Sequence, residues 1–456
     1  MKWVLLFIFL AILPQFLSQR NVELLDNWKQ DSLITNSSKA RYNECWATEI
    51  NGKEYGIIGS TEGTHFFEIS DQNKLIHRAF VKGTFSNSSV IHRDFKNLGN
   101  LLYSVCDEGN SALQIIDMQY LPDSVSLVKE IFSPFGRVHN LIIDSAQKTL
   151  YTFGVSEIVN GTIVSSSPMK IFDLADPLNP VLLFDGPNDI NYVHDGNLYG
   201  NYLMANCGYD GLRYYNVSDP SNPVLEQEFT VYKSQGYNHQ GDFSPSGDTY
   251  IFADESSGTK IKMGKFDSNG NYTIERFFDQ RADSMSVPHN LMLDDNFVYV
   301  AYYNEGLRIF NYRQTPIKQV AFYDTYTENH FFNMNGAWGI YSKLPSGRIL
   351  VSDRQNGLFL FGFNRQTFTL DYKDKVSVYP NPASVSTTVF LDDYFSEPWT
   401  VECFDYSGKK IFTLSEANNS YMKISTPYAS GTYTLKITYI GNGTIPNISY
   451  KKLMLN

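Results

Sequence analysis

The sequence is short of positive charge and of cysteine. Lys and Arg number 37 against 48 Asp and Glu, for a net charge of −11. A chain this acidic offers no broad basic face to phosphates, which excludes a nucleic-acid partner. Its four cysteines, Cys45, Cys106, Cys207 and Cys403, are too widely spread for a disulfide scaffold, and none stands in a C-x-x-C pair. Their spacing leaves any pairing open. Past the N-terminus no apolar run approaches the ~20 residues of a membrane-spanning helix. Catalytic signatures are missing as well: there is no G-x-S-x-G elbow, P-loop, H-E-x-x-H helix or Rossmann fingerprint.

The N-terminus, MKWVLLFIFLAILPQFLSQRN, has the form of a signal peptide. Lys2 is a short basic region, and Trp3 to Leu13 is an apolar stretch too short to cross a bilayer. Cleavage is expected near Ser18 or Gln19, giving a signal peptide over 1–18. No cysteine follows the apolar stretch, so a lipoprotein is not expected. The mature chain then has no transmembrane segment. Asn36, Asn87 and Asn160 sit in Asn-x-Ser/Thr triplets and are expected to be turn residues.

What the sequence does have is aromatic and strand-forming. It holds 31 Tyr and 32 Phe, and short apolar runs are bounded throughout by Gly, Asn, Asp or Pro. One block, HNLMLDDNFVYVAYYNEGLRIFNYRQTPIKQVAFYD at 289–324, predicts four strands, and it recurs. The anchors are Trp46, His92, His139, His194, His239, His289 and Trp338, spaced by 46, 47, 55, 45, 50 and 49 residues. Seven copies of four strands predict a seven-bladed β-propeller over 19–366. The last copy has three clear strands, and NVELLDNW at 21–28 resembles a fourth, so an N-terminal strand is expected to close the ring. A linker is expected over 367–375. The alternating strands of 376–456 carry no histidine and predict a small Ig-like β-sandwich. The fold class is all-β throughout.

The repeated anchor begins the innermost strand of each blade. The loop between strands two and three lies on the same face. Those loops read Thr61-Glu62-Gly63, Asp107-Glu108-Gly109, Tyr209-Asp210-Gly211, Asp254-Glu255, Asn304-Glu305-Gly306 and Gln355-Asn356-Gly357. His92, His139, His194, His239 and His289 are therefore expected to face a rim of carboxylates at the channel mouth. Imidazole and carboxylate together suit a divalent transition metal, with His194, His239, His289, Asp254, Glu255 and Glu305 as ligand candidates. A repeated histidine equally suits a hydrogen-bonding peg, one per blade, as in WD-repeat propellers. Trp46 and Trp338, on blades that meet at the ring closure, are candidates for a stacking platform for a sugar or aromatic ligand. His65, His77 and His330 fall off register and are expected to be surface or packing residues.

The stretches NVELLDNW, YNECWATEINGKEYGIIGSTEGTHFFEIS, YNHQGDFSPSGDTYIFADE, PHNLMLDDNFVYVAYYNEGLRIF and NGAWGIYSKLPSGRILVSDRQNGLFLF resemble the choice-of-anchor B family of bacterial surface proteins, built from LVIVD-type propeller repeats. The tail, with YPNP, the D-x-x-G-K turn at Asp405–Lys409, S-G-T-Y at Ser430–Tyr433 and a basic end, resembles the type A C-terminal sorting domain of the type IX secretion system of Bacteroidetes. That resemblance implies handling of 376–456 by the secretion machinery and a location outside the cell or on the outer-membrane surface. The final hairpin, TYIGNGTIPNISY, is longer than the pattern. The functional expectation is a binding or scaffold module taking a glycan or protein on its loop face. The alternative is a metal-dependent hydrolase using the histidine ring.

Overall fold

A computed structural model describes residues 19–279, 286–327, 334–365, 376–379, 381–384, 386–391, 398–416, 419–425, 429–440 and 446–455. The expected signal peptide, the whole of the expected linker and His330 lie outside the described residues. Every described element is a strand, and no described helix is long and apolar enough to cross a membrane.

The larger of two compact units ends at Phe363 and holds seven antiparallel sheets among the described residues. Blade one is Tyr42–Ile50, Lys53–Ser60, Gly63–Ile69 and Leu75–Lys82. Blades two to five follow the same order, starting from Arg93–Leu98, Arg137–Asp144, Asp195–Tyr199 and Asn238–Phe243. Blade six runs from Leu291–Leu293 to Lys318–Tyr323, and blade seven begins with Ala337–Tyr341. Each innermost strand packs against the innermost strand of the next blade, and the seventh packs against the first. The architecture is a closed seven-bladed β-propeller.

Closure depends on the N-terminal segment. Val22–Trp28 pairs antiparallel with Gly357–Phe363 as the outer strand of blade seven, bulging at Leu25. Just before it, Gln19 and Arg20 pair with Tyr323 and Phe322 of blade six. Asn21 marks the crossing with φ of 57° and donates from Nδ2 to the Val320 carbonyl at 2.8 Å. Ten residues thus hold two blades and cover a strand edge that would otherwise be free.

The cores lie between blades. Ile57, Phe66 and Tyr55 of blade one share a buried cluster with Phe95, Leu102 and Ile116 of blade two. His65 and His77 sit in blade one beside Trp28, at ring separations of 5.1 and 5.7 Å. His65 Nε2 lies 3.1 Å from the Ser60 hydroxyl. Burial, with the His77 and Arg93 charges adding, lowers the His65 pKa from 6.5 to about 3. The folded state therefore resists a proton that the unfolded chain accepts below pH 6.5. Stability is lost as pH falls through that window. At pH 5 the loss from this residue is about 2 kcal/mol. Urea melts at pH 7 and pH 5 are expected to show His65→Phe gaining that amount on the parent. Parallel losses in both proteins would contradict it.

The smaller unit carries two sheets among its described residues. One is Val376–Tyr379, Ser386–Leu391 and Tyr421–Ser425; the other orders Lys410–Glu416, Trp399–Phe404, Gly431–Ile440 and Pro446–Leu455. Val389 and Ile424 from the first share one buried core with Trp399, Val401, Leu435 and Ile437 from the second. The long final hairpin stays in register from Gly431 opposite Leu455 to Ile440 opposite Pro446. All four cysteines are buried and unbonded to one another.

Candidate functional site

The innermost strands bring five anchor histidines into one string. His92 stacks on His139 with centroids 4.2 Å apart and planes 9° apart. His139 to His194 is 4.2 Å, His194 to His239 is 4.1 Å, and His239 to His289 is 4.3 Å. Trp338 completes the round, 4.3 Å from His289 and 5.8 Å from His92.

The hydrogen bonds assign each edge of these rings a task. His194 Nδ1 donates to the His239 carbonyl at 2.9 Å, and His289 Nδ1 donates to the Trp338 carbonyl at 2.7 Å. Carbonyl oxygens only accept, so Nδ1 carries the proton in both rings and Nε2 holds a lone pair. The Nδ1 edge of each ring ties one blade to the next, and at His289 the Nε2 edge is turned toward Glu255.

His139 breaks the pattern because Asp107, from the loop between strands two and three, lies 2.7 Å from its Nδ1. Its Nε2 lies 2.7 Å from Nε2 of His194. His194 offers a lone pair there, so His139 donates from both nitrogens and is a cation. Burial opposes that charge, but the Asp107 hydrogen bond and the charges of Asp107, Asp195 and Glu108 outweigh it and raise the pKa. The other ring members go the opposite way. Burial, with the neighbouring histidine charges adding, holds His92, His194 and His289 well below 6.5 and His239 at about 3.

Of the acidic candidates, only Glu255 faces the ring. Its carboxylate oxygens lie 3.7 Å from His239 Nε2 and 4.0 Å from His289 Nε2, and it accepts from the Tyr303 hydroxyl. Asp254 and Glu305 do not serve as ligands. Asp254 is fully buried and bonds Lys262 Nζ at 2.8 Å, the Tyr232 hydroxyl at 3.0 Å and the Gly236 amide at 2.6 Å. Side chains alternate across a strand, so consecutive acids at its end face opposite ways. Glu305 is held by Arg308 at 2.5 Å and the Ser286 hydroxyl at 3.0 Å. His194 is spent on His139 and is not free to join a metal.

Trp46 is not part of the ring either. It donates to Asn97 Oδ1 at 2.8 Å, packs on Tyr341 and lies under Lys96. Asn97 is five residues beyond His92, roughly 16 Å along the strand. The paired-tryptophan platform is therefore not formed. Trp338 instead meets His289, Tyr303 and the Arg354 guanidinium, the last 4.8 Å from its ring.

Several mouth residues were not anticipated from the sequence. Tyr192 and Tyr237 stand two residues before His194 and His239, and edge onto the rings. A repeated Tyr-x-His was the available signal. Tyr209 extends this line to solvent, 80% exposed and 5.1 Å from Tyr237. Further down the innermost strands, Glu44, Asp94 and Asp195 are buried in a polar layer with the half-buried Lys96, which lies 3.0 Å from Asp94. Burial, with Asp94 adding, raises Asp195 to about 8.

Around Trp338 the polar edges are unspent. Neither Trp338 Nε1 nor Arg354 Nε has a hydrogen-bond acceptor among the described residues. Both are buried, and orphaned buried donors cost about 1–3 kcal/mol each.

With this geometry in hand, comparison with known proteins defines the two units. Residues 377–451 match the secretion system C-terminal sorting domain. No curated protein matches the chain. The WD40 β-propeller domain of Doa1 is similar at 10% identity and TM-score 0.52, over 76% of this chain and 98% of that one. The β-propeller domain of Cps50 (Swd1) from Myceliophteria thermophila is similar at 10% identity and TM-score 0.50, over 74% and 99%. These likenesses establish the propeller fold alone. The sorting domain implies handling by the type IX secretion machinery and export to the cell surface or the extracellular space.

Proposed function

We propose that the chain is a secreted or surface-held binding propeller of the choice-of-anchor B kind, delivered by its C-terminal domain after removal of a signal peptide. It takes an oxygen-rich ligand, a glycan, at the histidine end of its channel. The observation that carries this reading is the pair of unspent donors on Trp338 and Arg354. Folded proteins keep few such atoms, and a polyol or acidic sugar supplies the missing acceptors. The aromatic approach from Tyr209 through Tyr237 suits the apolar faces of sugar rings. A hydrolase is the weaker reading, because Asp254, Glu305 and His194 are committed to structural partners.

The test is a glycan array probed with the full secreted chain, followed by calorimetry on the strongest binder. Trp338→Phe keeps the ring and removes the Nε1 donor. It is expected to weaken binding by about tenfold, the worth of one hydrogen bond to a buried donor. No glycan retained, or an affinity that Trp338→Phe leaves unchanged, would reject the reading.

A further inference from the structure

We propose that His239, His289 and Glu255 form a binding site for one zinc-class divalent metal ion, at the edge of the histidine ring that opens to solvent. This goes beyond ligand binding at Trp338 and does not depend on it.

Three observations support the site. First, one ligand atom from each of the three residues lies within 4.8 Å of the others. A tetrahedral ion with bonds of about 2.1 Å separates its ligands by roughly 3.4 Å, so binding requires an inward movement of about 1 Å, within reach of side-chain rotation. Second, the ring is already in the ligating form. His289 Nδ1 donates to the Trp338 carbonyl at 2.7 Å, which fixes the tautomer and points the Nε2 lone pair at Glu255. Metal-bound histidines commonly have such an outer hydrogen bond. Glu255 is likewise oriented by the Tyr303 hydroxyl. Third, the cluster reaches solvent through Glu255. The two histidine side chains are 4% and 2% exposed, whereas the Glu255 side chain is 18% exposed.

Two imidazoles and a carboxylate leave a fourth position open, the pattern of zinc sites that exchange a water or an outside ligand. His194 does not fill it, because its Nε2 is engaged by His139. Burial raises the Glu255 pKa, and the Tyr303 hydrogen bond and the positive charges of His139 and Arg354 act the other way, in favour of its carboxylate. An anionic outside ligand is therefore favoured at the open position.

The experiment uses the full chain, stripped with chelator, loaded with zinc, passed through a desalting column and analysed for metal. The parent is expected to retain about one zinc per chain, as a three-residue site with an open position does. Glu255→Gln removes a ligand at a partly exposed position, and His289→Ala removes a ring nitrogen; each is expected to cut retention at least tenfold. His289 also ties a blade, so its variant is checked by circular dichroism, and Glu255→Gln alone decides the matter if it fails to fold. Cobalt loading is expected to give the visible absorption of a tetrahedral site, abolished by Glu255→Gln. A parent that retains no zinc overturns the proposal. Zinc retained equally by the parent and Glu255→Gln also overturns it, since the ion then sits elsewhere, as at the His65–His77 pair.

Discussion

Asp254→Ala is expected to destabilise the propeller by about 3–5 kcal/mol, the cost of leaving a buried charge without its partner. The partner is Lys262 Nζ, 2.8 Å away, and both side chains are fully buried. Burial already pulls the Lys262 pKa down, and Asp254 is what counters it. The same carboxylate accepts from Tyr232, Gly236 and Asn238, so three further donors lose their acceptor. The neighbouring Glu255 provides the control. Its partners are Tyr303 and two neutral histidines at a half-open mouth, so Glu255→Ala is expected to cost under about 1.5 kcal/mol, as for one hydrogen bond. Urea melts of the two variants separate the roles. Equal losses would mean that Asp254 is not the structural hub described.

The second large effect is expected at the ring closure. Gly357 starts the strand that pairs with Val22–Trp28, and its φ is +87°. A Cβ there would overlap the Trp28 carbonyl oxygen. Gly270 has a similar φ of +82° but open space around the added carbon. Alanine at Gly270 therefore measures backbone strain alone, about 1 kcal/mol. Alanine at Gly357 adds displacement of the N-terminal strand, with a total loss of at least about 3 kcal/mol. Matching losses at the two positions would show that the outer strand gives way freely and that closure contributes little. The collision recurs at Gly306 against the Tyr323 carbonyl. The turns at Gly306 and Gly357 thus have a steric reason for glycine beyond turn preference.

The blade pattern was legible because five of the seven repeats carry a histidine at the head of the innermost strand and the second strand ends at a polar turn. The histidines were legible as a set for the same reason. What they do was not, because the two nitrogens of one imidazole face different neighbours, and only the packing of adjacent blades decides which. His194 shows this: one nitrogen meets the carbonyl of His239 and the other meets His139. Trp46 misled because it is the fifth residue of its strand, Tyr42–Ile50, whereas the other anchors stand at or near the start of theirs, so the tryptophan falls far below their level. Asp254 misled because a one-residue step along a strand reverses the side chain, so the true mouth residue is Glu255. Asp107 was visible as a turn acid, but its pairing with His139 of the next blade crosses 32 positions and leaves no local trace.

The central claim is that the Nδ1 edges of His194 and His289 hold neighbouring blades together, while the Nε2 edge of His289 is free for a ligand. Nitrogen-15 spectra of the metal-free chain, labelled at histidine and assigned by single substitutions, report which nitrogen of each ring is protonated. At neutral pH the account predicts His194 and His289 as Nδ1–H tautomers and His139 as an imidazolium. His194 and His289 protonated at Nε2 instead would contradict it, since the carbonyls of His239 and Trp338 would then have no donor, and the ring would have no lone pair to offer at its open edge.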